Sequence, residues 1–333
     1  MSNLPVDLPL VSLVIPLYNE ENSIGQLFAE LDSVITRLVH YTFEIVCVND
    51  ASNDDTLSHL LAESKRRSNL IVVDLSRNFG KEGALSAGLQ TASGDAVIPI
   101  DADLQDPPDV IEGMLEQWKQ GFEVVLAKRI DRSTDTAFKR TAAGLFYRLH
   151  NLLADISLPE NVGDFRLLDR IAVDALNRLP ENCRFMKGLF AWIGFRTTTI
   201  TYRRATRSTG GSRFKLRQLI NLAAEGITSF SVLPLRMSAY LGVFIACAAV
   251  VWASWIALRT LVWGVDLPGY ASIFVAILFL GGIQLVSIGI LGEYIGRTYM
   301  ESKRRPAYVI RRIYASGARM IPIEVMQSVE PRA

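Results

Sequence analysis

Two aspartates two residues apart stand in Asp101-Ala102-Asp103-Leu104-Gln105-Asp106, directly after the apolar run Ala96-Val97-Ile98-Pro99-Ile100. Carboxylates so spaced, on a turn that ends a buried strand, can ligate one hard cation, which in turn bridges pyrophosphate oxygens. A nucleotide-sugar diphosphate is a poor leaving group until that charge is neutralised, so the pattern points to group transfer from such a donor. Asp-x-Asp alone is weak, because surface turns use Asp to bond their own backbone; its weight comes from position and company. Asp50, in Val48-Asn49-Asp50-Ala51-Ser52, ends a second apolar run and admits two readings. It can accept from a base N–H, or cap the helix that follows Asp54-Asp55-Thr56.

The elements that must hold these residues are short continuous Val- and Ile-rich runs, the pattern of strands buried on both faces. They are Leu10 to Pro16, Phe43 to Asn49, Leu70 to Leu75, Ala96 to Ile100 and Val124 to Lys128, with helical patterns at Glu21 to Val39, Thr56 to Arg67, Lys81 to Thr91 and Pro108 to Gln120. Alternation of this kind predicts a parallel α/β sheet. Ligands of such sheets bind beyond the carboxyl ends of strands, and Tyr18-Asn19-Glu20, Asn49-Asp50, Arg77-Asn78 and Asp101 to Asp106 all fall there. Further on, an amphipathic helix is expected from Thr134 to Leu153, a loop from Leu158 to Arg166 and a helix near Ile171 to Arg178.

Half of the chain is apolar, and the distribution is uneven. No charged residue occurs from Met237 to Leu258 or from Leu267 to Gly292, each longer than the roughly 20 residues that cross a bilayer core. A tight turn at Gly264 to Gly269 joins them, and basic residues flank both outer ends, Arg236 before and Arg297, Lys303, Arg304, Arg305, Arg311 and Arg312 after. The positive-inside rule places both flanks in the cytoplasm. Two all-apolar core helices of a soluble protein are the alternative. No charged n-region precedes Arg37, so the catalytic part is expected to stay cytoplasmic. Asn182 to Ala224 has nine bases and no acid, a block suited to a phosphate or anionic headgroup. Lys215 to Val232 is amphipathic, readable as an interfacial helix or a core helix. The three cysteines are scattered, without CxxC or a His cluster, so neither a disulfide framework nor a zinc site is supported.

Val14-Ile15-Pro16-Leu17-Tyr18-Asn19-Glu20-Glu21, Val48 to Ser52, Ser76-Arg77-Asn78-Phe79-Gly80-Lys81 and Asp101 to Pro107 resemble the family-2, GT-A-fold glycosyltransferases that load sugars onto polyprenyl phosphate. Asn161 to Leu168, the two-span tail and Ile290 to Arg297 resemble the bactoprenol glucosyltransferase branch in particular. The resemblance implies a GT-A domain over residues 1–214, an amphipathic juxtamembrane helix over 215–234, two transmembrane helices over 235–297 and a cytoplasmic tail over 298–333, poorly ordered after Ser316. It implies that Pro16, Tyr18, Glu20, Asp50, Lys81, Asp101 and Ala102 hold the nucleotide sugar, and that Asp101, Asp103 and Gln105 surround Mg2+ or Mn2+ and the donor phosphates. Asp164 matches the acidic position beside the reacting centre, an orienting group or a loop carboxylate paired to Arg166. Arg129, Arg204, Arg207 and Arg213, with Ser212, match the set near donor pyrophosphate and acceptor phosphate. Where relatives commonly carry Lys before an aromatic, this chain reads Gly210-Gly211-Ser212-Arg213-Phe214, which keeps the charge and adds a bidentate donor. The implied reaction is inverting hexose transfer, glucose from UDP-glucose, to undecaprenyl phosphate for cell-surface glycan modification such as lipopolysaccharide O-antigen. Its implied setting is a homotetramer in the bacterial inner membrane with no nucleic-acid partner. A UDP-aminoarabinose derivative or GDP-mannose are the alternative donors.

Other classes fit less well. A processive polysaccharide synthase needs more spans and a Gln-x-x-Arg-Trp motif, both missing from this sequence. Tyr18-Asn19-Glu20 follows the first strand where a dinucleotide dehydrogenase has a glycine-rich turn. A non-catalytic nucleotide-binding membrane protein would have no need of Asp101, Asp103 and Asp164 together.

Overall fold

The computed structural model describes residues 8–130, 162–181, 184, 186–202, 231–263, 269–315 and 319–321. The first half is the alternation expected: β1 (Leu10–Leu17), α1 (Ile24–Arg37), β2 (Thr42–Asn49), α2 (Thr56–Arg66), β3 (Leu70–Leu75), α3 (Lys81–Thr91), β4 (Ala96–Pro99), α4 (Val110–Lys119) and β5 (Val124–Arg129). Then come β6 (Val162–Asp169), α5 (Arg170–Arg178), α6 (Met186–Trp192), β7 (Thr197–Tyr202), the long helices α7 (Leu233–Trp263) and α8 (Tyr270–Ser302), and β8 (Ile310–Ala315) and β9 (Arg319–Ile321). The strands form one sheet in the order β7-β5-β6-β4-β1-β2-β3-β8-β9.

β1 is central, parallel to β2 and β4, with every residue from Val11 to Ile15 buried, so its Val-Ile run has no polar face to show. Apolar cores lie on both sides of the sheet, one holding Leu13, Ile15 and Leu27, the other Val14, Val46 and Leu85. Helix α3 is built almost wholly of small or apolar buried residues. A Cβ on Gly88 would lie 2.3 Å from Val14 Cγ1 and 3.1 Å from Val48 Cγ2, so only glycine lets the helix lie this close to β1 and β2. That close seat fixes where the amino end of α3 points.

One expectation needs correction. Residues from Val162 are not loop: β6 runs antiparallel between β4 and β5, so the sheet is mixed. Polar Gly163, Asp164 and Arg166 hid the strand, whose Phe165, Leu167 and Leu168 are buried; Arg166 stacks 4.0 Å from the Phe190 ring centre and donates to Gly163 O at 2.6 Å. After α8 the chain returns to the catalytic sheet, β8 pairs antiparallel with β3, and β9 pairs with β8. Ile313 is 1% exposed opposite Val73. Six residues with two arginines carry too little apolar pattern to announce a strand; the open edge of β3 supplies the partner.

Helices α7 and α8 each contain an 18-residue window of mean hydropathy 2.2 within an apolar stretch of 28 residues, and none of the described residues of that window is buried inside the protein. Trp252, Trp255, Phe244 and Phe279 are exposed, which disposes of the core-helix alternative. Glu293 is paired with Arg297 one turn on at 3.0 Å, and Tyr294 donates to Ser231 O at 2.6 Å, tying α8 to the residues before α7. The helices expected over 134–153 and 215–232 lie outside the described residues, apart from Ser231 and Val232, which are not helical.

Because Ile313 is packed in the sheet on the far side of the membrane hairpin, Ile313→Ala is expected to destabilise the catalytic domain by about 2–5 kcal/mol. Hydrogen exchange at the β3 amides of the purified protein should quicken; wild-type protection of β3 would show that the tail is no part of the core.

Candidate active site

The carboxyl ends of β1, β2, β3, β4 and β5 share one edge, and the amino end of β6 meets them there, since Val162 lies opposite Lys128. Three of the four non-glycine residues with positive φ among those described lie in the loops of this edge: Asn19 (φ 55), Ala51 (φ 52) and Leu104 (φ 52). Asn tolerates that conformation, whereas Ala and Leu adopt it at a cost that surrounding bonds must offset. They are present: Asn19 N donates to Ser52 Oγ at 3.0 Å, Asn53 N donates to Asn19 Oδ1 at 2.8 Å, and Ser52 N donates to Asn49 Oδ1 at 3.2 Å. The β1 and β2 loops are thus stitched together. Glu20 belongs to the same stitching, its carboxylate accepting from Ser23 Oγ at 2.6 Å, while the Tyr18 ring is exposed.

Asp50 is 3% exposed and is neither helix cap nor idle. Its two oxygens accept from Phe79 N at 2.7 Å and Gly80 N at 2.9 Å. Burial raises its carboxyl, opposed by those two bonds and the charge of Arg77. The carboxylate therefore braces the turn that launches α3. Gly80 enters that turn at φ +83, and Lys81 is the first residue of the helix. Asn49 Nδ2 donates to buried Asp74 at 2.8 Å, and Arg311 of β8 reaches the same Asp74 at 3.5 Å and Ser76 O at 2.8 Å. One wall of the site is therefore built by residues beyond the membrane hairpin.

Lys81 Nζ lies 2.7 Å from Asp101 Oδ1 and 2.6 Å from Asp164 Oδ2, joining the end of β4 to β6. Burial opposes the ammonium charge, and the carboxylates of Asp164 and Asp101 more than restore it, so Lys81 is held charged well above its usual range. For Asp164, burial favours the neutral acid, but Lys81, Lys187 and Arg166 outweigh it and lower its pKa. Asp164 is thus an anion with one oxygen on Lys81; its other oxygen, Oδ1, is buried and accepts no hydrogen bond among the described residues. Pairing with Arg166 is not its role, since that guanidinium is on Gly163 O and the Phe190 ring.

Asp103 accepts from Gln105 N at 3.2 Å and Gln105 Nε2 at 2.7 Å. Buried Asp106 accepts from the Tyr202 hydroxyl, which pins the acidic turn to β7. Among the described residues no three His, Cys, Asp or Glu side chains converge as a ready-made metal cage. The donor set nevertheless suits a hard cation that brings its own phosphate ligands: two carboxylates on a turn, with Mg2+-like ions commonly held by one or two carboxylates plus substrate oxygens. Pro16 and Ala102 lie at the ends of β1 and β4, Ala102 5% exposed. Arg129 ends β5 at the same edge, opposite Tyr202. Arg204, Arg207, Ser212 and Arg213 lie outside the described residues.

Glu82 escaped the sequence reading. It accepts from Met186 N at 3.3 Å, and burial together with the charge of Asp164 pushes its carboxyl up to about 7. An acidic residue in the first turn of a helix is ordinarily a favourable dipole partner, and nothing local in the sequence signals that this one is buried close to Asp164.

A mixed sheet with an acidic turn and an ionised aspartate at its carboxyl edge, joined to two membrane-length apolar helices, defines a membrane-associated GT-A-type glycosyltransferase. Residues 12–176 match the Glycosyl transferase family 2 domain, and residues 233–298 match the GtrB C-terminal hairpin. Bactoprenol glucosyl transferase of Shigella phage SfV is 50% identical over 90% of this chain and 98% of its own length. The prophage bactoprenol glucosyl transferase homolog of Escherichia coli K12 is 48% identical, covering 91% and 99%. An uncharacterized glycosyltransferase of Synechocystis, sll0501, is 48% identical over 94% and 98%. The chain belongs to glycosyltransferase family 2.

Because the Glu82 pKa is raised above its ordinary 4.5, the folded protein binds this proton more tightly than the unfolded chain. The stabilising contribution is present below about 4.5 and is lost as pH rises through about 7. Glu82→Gln should remove that loss, so its thermal midpoint relative to wild type should rise between pH 5 and pH 8, measured by fluorescence in detergent. A constant difference across that range would show that Glu82 is not held protonated.

Proposed function

We propose that the protein transfers glucose, with inversion, from UDP-glucose to undecaprenyl phosphate at the cytoplasmic face of the bacterial inner membrane, using Mg2+ or Mn2+. The observation that carries the reading is the ionised Asp164 joined through Lys81 to Asp101 of the acidic turn at the sheet edge, in a chain whose relatives at 48–50% identity are named bactoprenol glucosyl transferases. The assembly we assign, a homotetramer, rests on the family resemblance alone.

The lipid phosphate oxygen is already ionised at neutral pH, so the attack does not demand a strong base. Asp164, kept anionic by Lys81, Lys187 and Arg166, suits an orienting and electrostatic role at the anomeric centre. Asp101, Asp103 and Gln105 are the residues that would hold the divalent cation, whose chemistry is to neutralise the leaving diphosphate. Pro16, Tyr18, Glu20, Asp50 and Ala102 line the edge where the nucleoside would lie; Asp50 acts through the Phe79 and Gly80 amides. Arg129, with Arg204, Arg207, Ser212 and Arg213, is assigned to the phosphates, and its charge addresses the main barrier, the approach of two polyanions. Displacement directly at the anomeric carbon inverts it.

Asp103→Asn is expected to lower transfer of radiolabelled glucose to undecaprenyl phosphate by two orders of magnitude or more, roughly the loss of one major electrostatic contribution, with the fold intact. Running the same assay against a panel of nucleotide sugars tests the donor. Near-normal transfer by the folded variant, or full activity in excess chelator, would remove the cation assignment.

The hairpin holds the site near the headgroup plane, since a soluble domain would have to extract the lipid against a large hydrophobic cost. Cutting the chain before the hairpin would also delete β8, so the clean experiment replaces residues 235–302 with a flexible linker and keeps the strand. UDP binding should persist and transfer to long-chain lipid in bilayers should largely vanish, with a smaller loss on a short soluble polyprenyl phosphate. Undiminished transfer in bilayers would refute a positioning role for the helices.

A further inference from the structure

We propose that Lys81 is a positioning residue that occupies the cation's place on Asp101 until the donor arrives, making cation binding depend on nucleotide. The inference rests on the cation assignment above and goes beyond it by naming what fills that place in the absence of the donor.

The geometry is specific. Lys81 Nζ reaches both oxygens of Asp101, at 2.7 and 2.9 Å, and Asp164 Oδ2 at 2.6 Å. No oxygen of Asp101 is outside the ammonium's contact distance, so a divalent cation on that carboxylate would stand beside a like charge. The ammonium is also badly placed for α3 itself. It sits at the first residue of the helix, where the dipole favours anions, and among the described residues the carboxylates of Asp101 and Asp164 compensate it. Its backbone is fixed by Gly80 and by the bonds from Phe79 N and Gly80 N to Asp50, but its side chain is a flexible four-carbon stem that is 45% exposed. The stem is therefore free to swing while the backbone is not.

A cation arriving alone must displace this ammonium from Asp101. A cation arriving with a nucleoside diphosphate brings two or more negative charges, to which Lys81 can turn. The ammonium then moves from carboxylate to diphosphate without being left unpaired, and Asp101 becomes free for the cation. Asp164 meanwhile keeps Oδ1 as its bare oxygen, buried and without a hydrogen bond among the described residues, directed by the same ammonium that holds Oδ2. One side chain thus couples the cation site to the reacting centre.

The test uses the full-length protein in detergent, Mn2+ as the probe and its paramagnetic resonance signal to separate free from bound ion. In wild type, Mn2+ alone should bind weakly and UDP should tighten it. Lys81→Met should bind Mn2+ alone roughly tenfold more tightly, with most of the UDP effect gone, although transfer falls. Lys81→Arg, which retains a cation, should stay close to wild type in Mn2+ affinity; circular dichroism checks that both variants are folded. A structural ion pair would make no such distinction: equal or weaker Mn2+ binding by folded Lys81→Met overturns the proposal. Absence of Mn2+ binding in every form, with and without UDP, overturns it together with the cation assignment, whereas UDP-dependent binding that is equal in wild type and Lys81→Met overturns this proposal alone.

Discussion

Gathering negative charge at one partly buried edge of a sheet is the constraint to which the rest of this structure answers. Asp101 and Asp164 share Lys81 there, Glu82 feels the charge of Asp164, and Asp103 stands on the same acidic turn; the substrates expected are polyanions as well. Like charges in a partly buried site repel strongly. The fold responds in two ways. Lys81 bridges two of the carboxylates at 2.6 and 2.7 Å, and Glu82 takes up a proton near neutral pH instead of ionising beside Asp164. What remains, an ionised Asp164 with one oxygen that accepts no hydrogen bond among the described residues, is the kind of preorganised charge that acts on a transition state without reorganising.

Placing one ammonium between two strand ends demands a rigid launch point. Gly88 lets α3 lie against Val14 and Val48, and Asp50 clamps the two amides before the helix. Residues far apart in the chain therefore share one task. Asp74 extends the brace through Asn49 on one side and Arg311 on the other, so the strand that follows the hairpin stands behind the loops of the site edge. The far end of the hairpin is consequently anchored to the catalytic sheet, because α8 leads into β8, and within the hairpin Tyr294 of α8 holds the residues ahead of α7.

Much of this was legible in the chain. Continuous Val-Ile runs imply strands buried on both faces, because any other placement would expose them, and two uncharged stretches of membrane length have no other outlet once they are found uncovered. Asp101 and Asp103 follow a buried run, and a parallel sheet must present such residues at its carboxyl edge. The Glu293 and Arg297 pair was equally readable, being one helical turn apart. Tertiary structure decided whatever depends on partners distant in sequence. Val162–Asp169 is a strand only because β4 and β5 leave a slot for it, which buries the polar residues that disguised it. Residues 310–315 become sheet only because β3 has an open edge. Asp50 serves the turn at residues 79 and 80, not its own helix, and the charge states of Lys81, Glu82 and Asp164 follow from distances between three separate elements. Local pattern fixes the burial of a strand; electrostatics, which reaches across space, can be read only after the chain has folded.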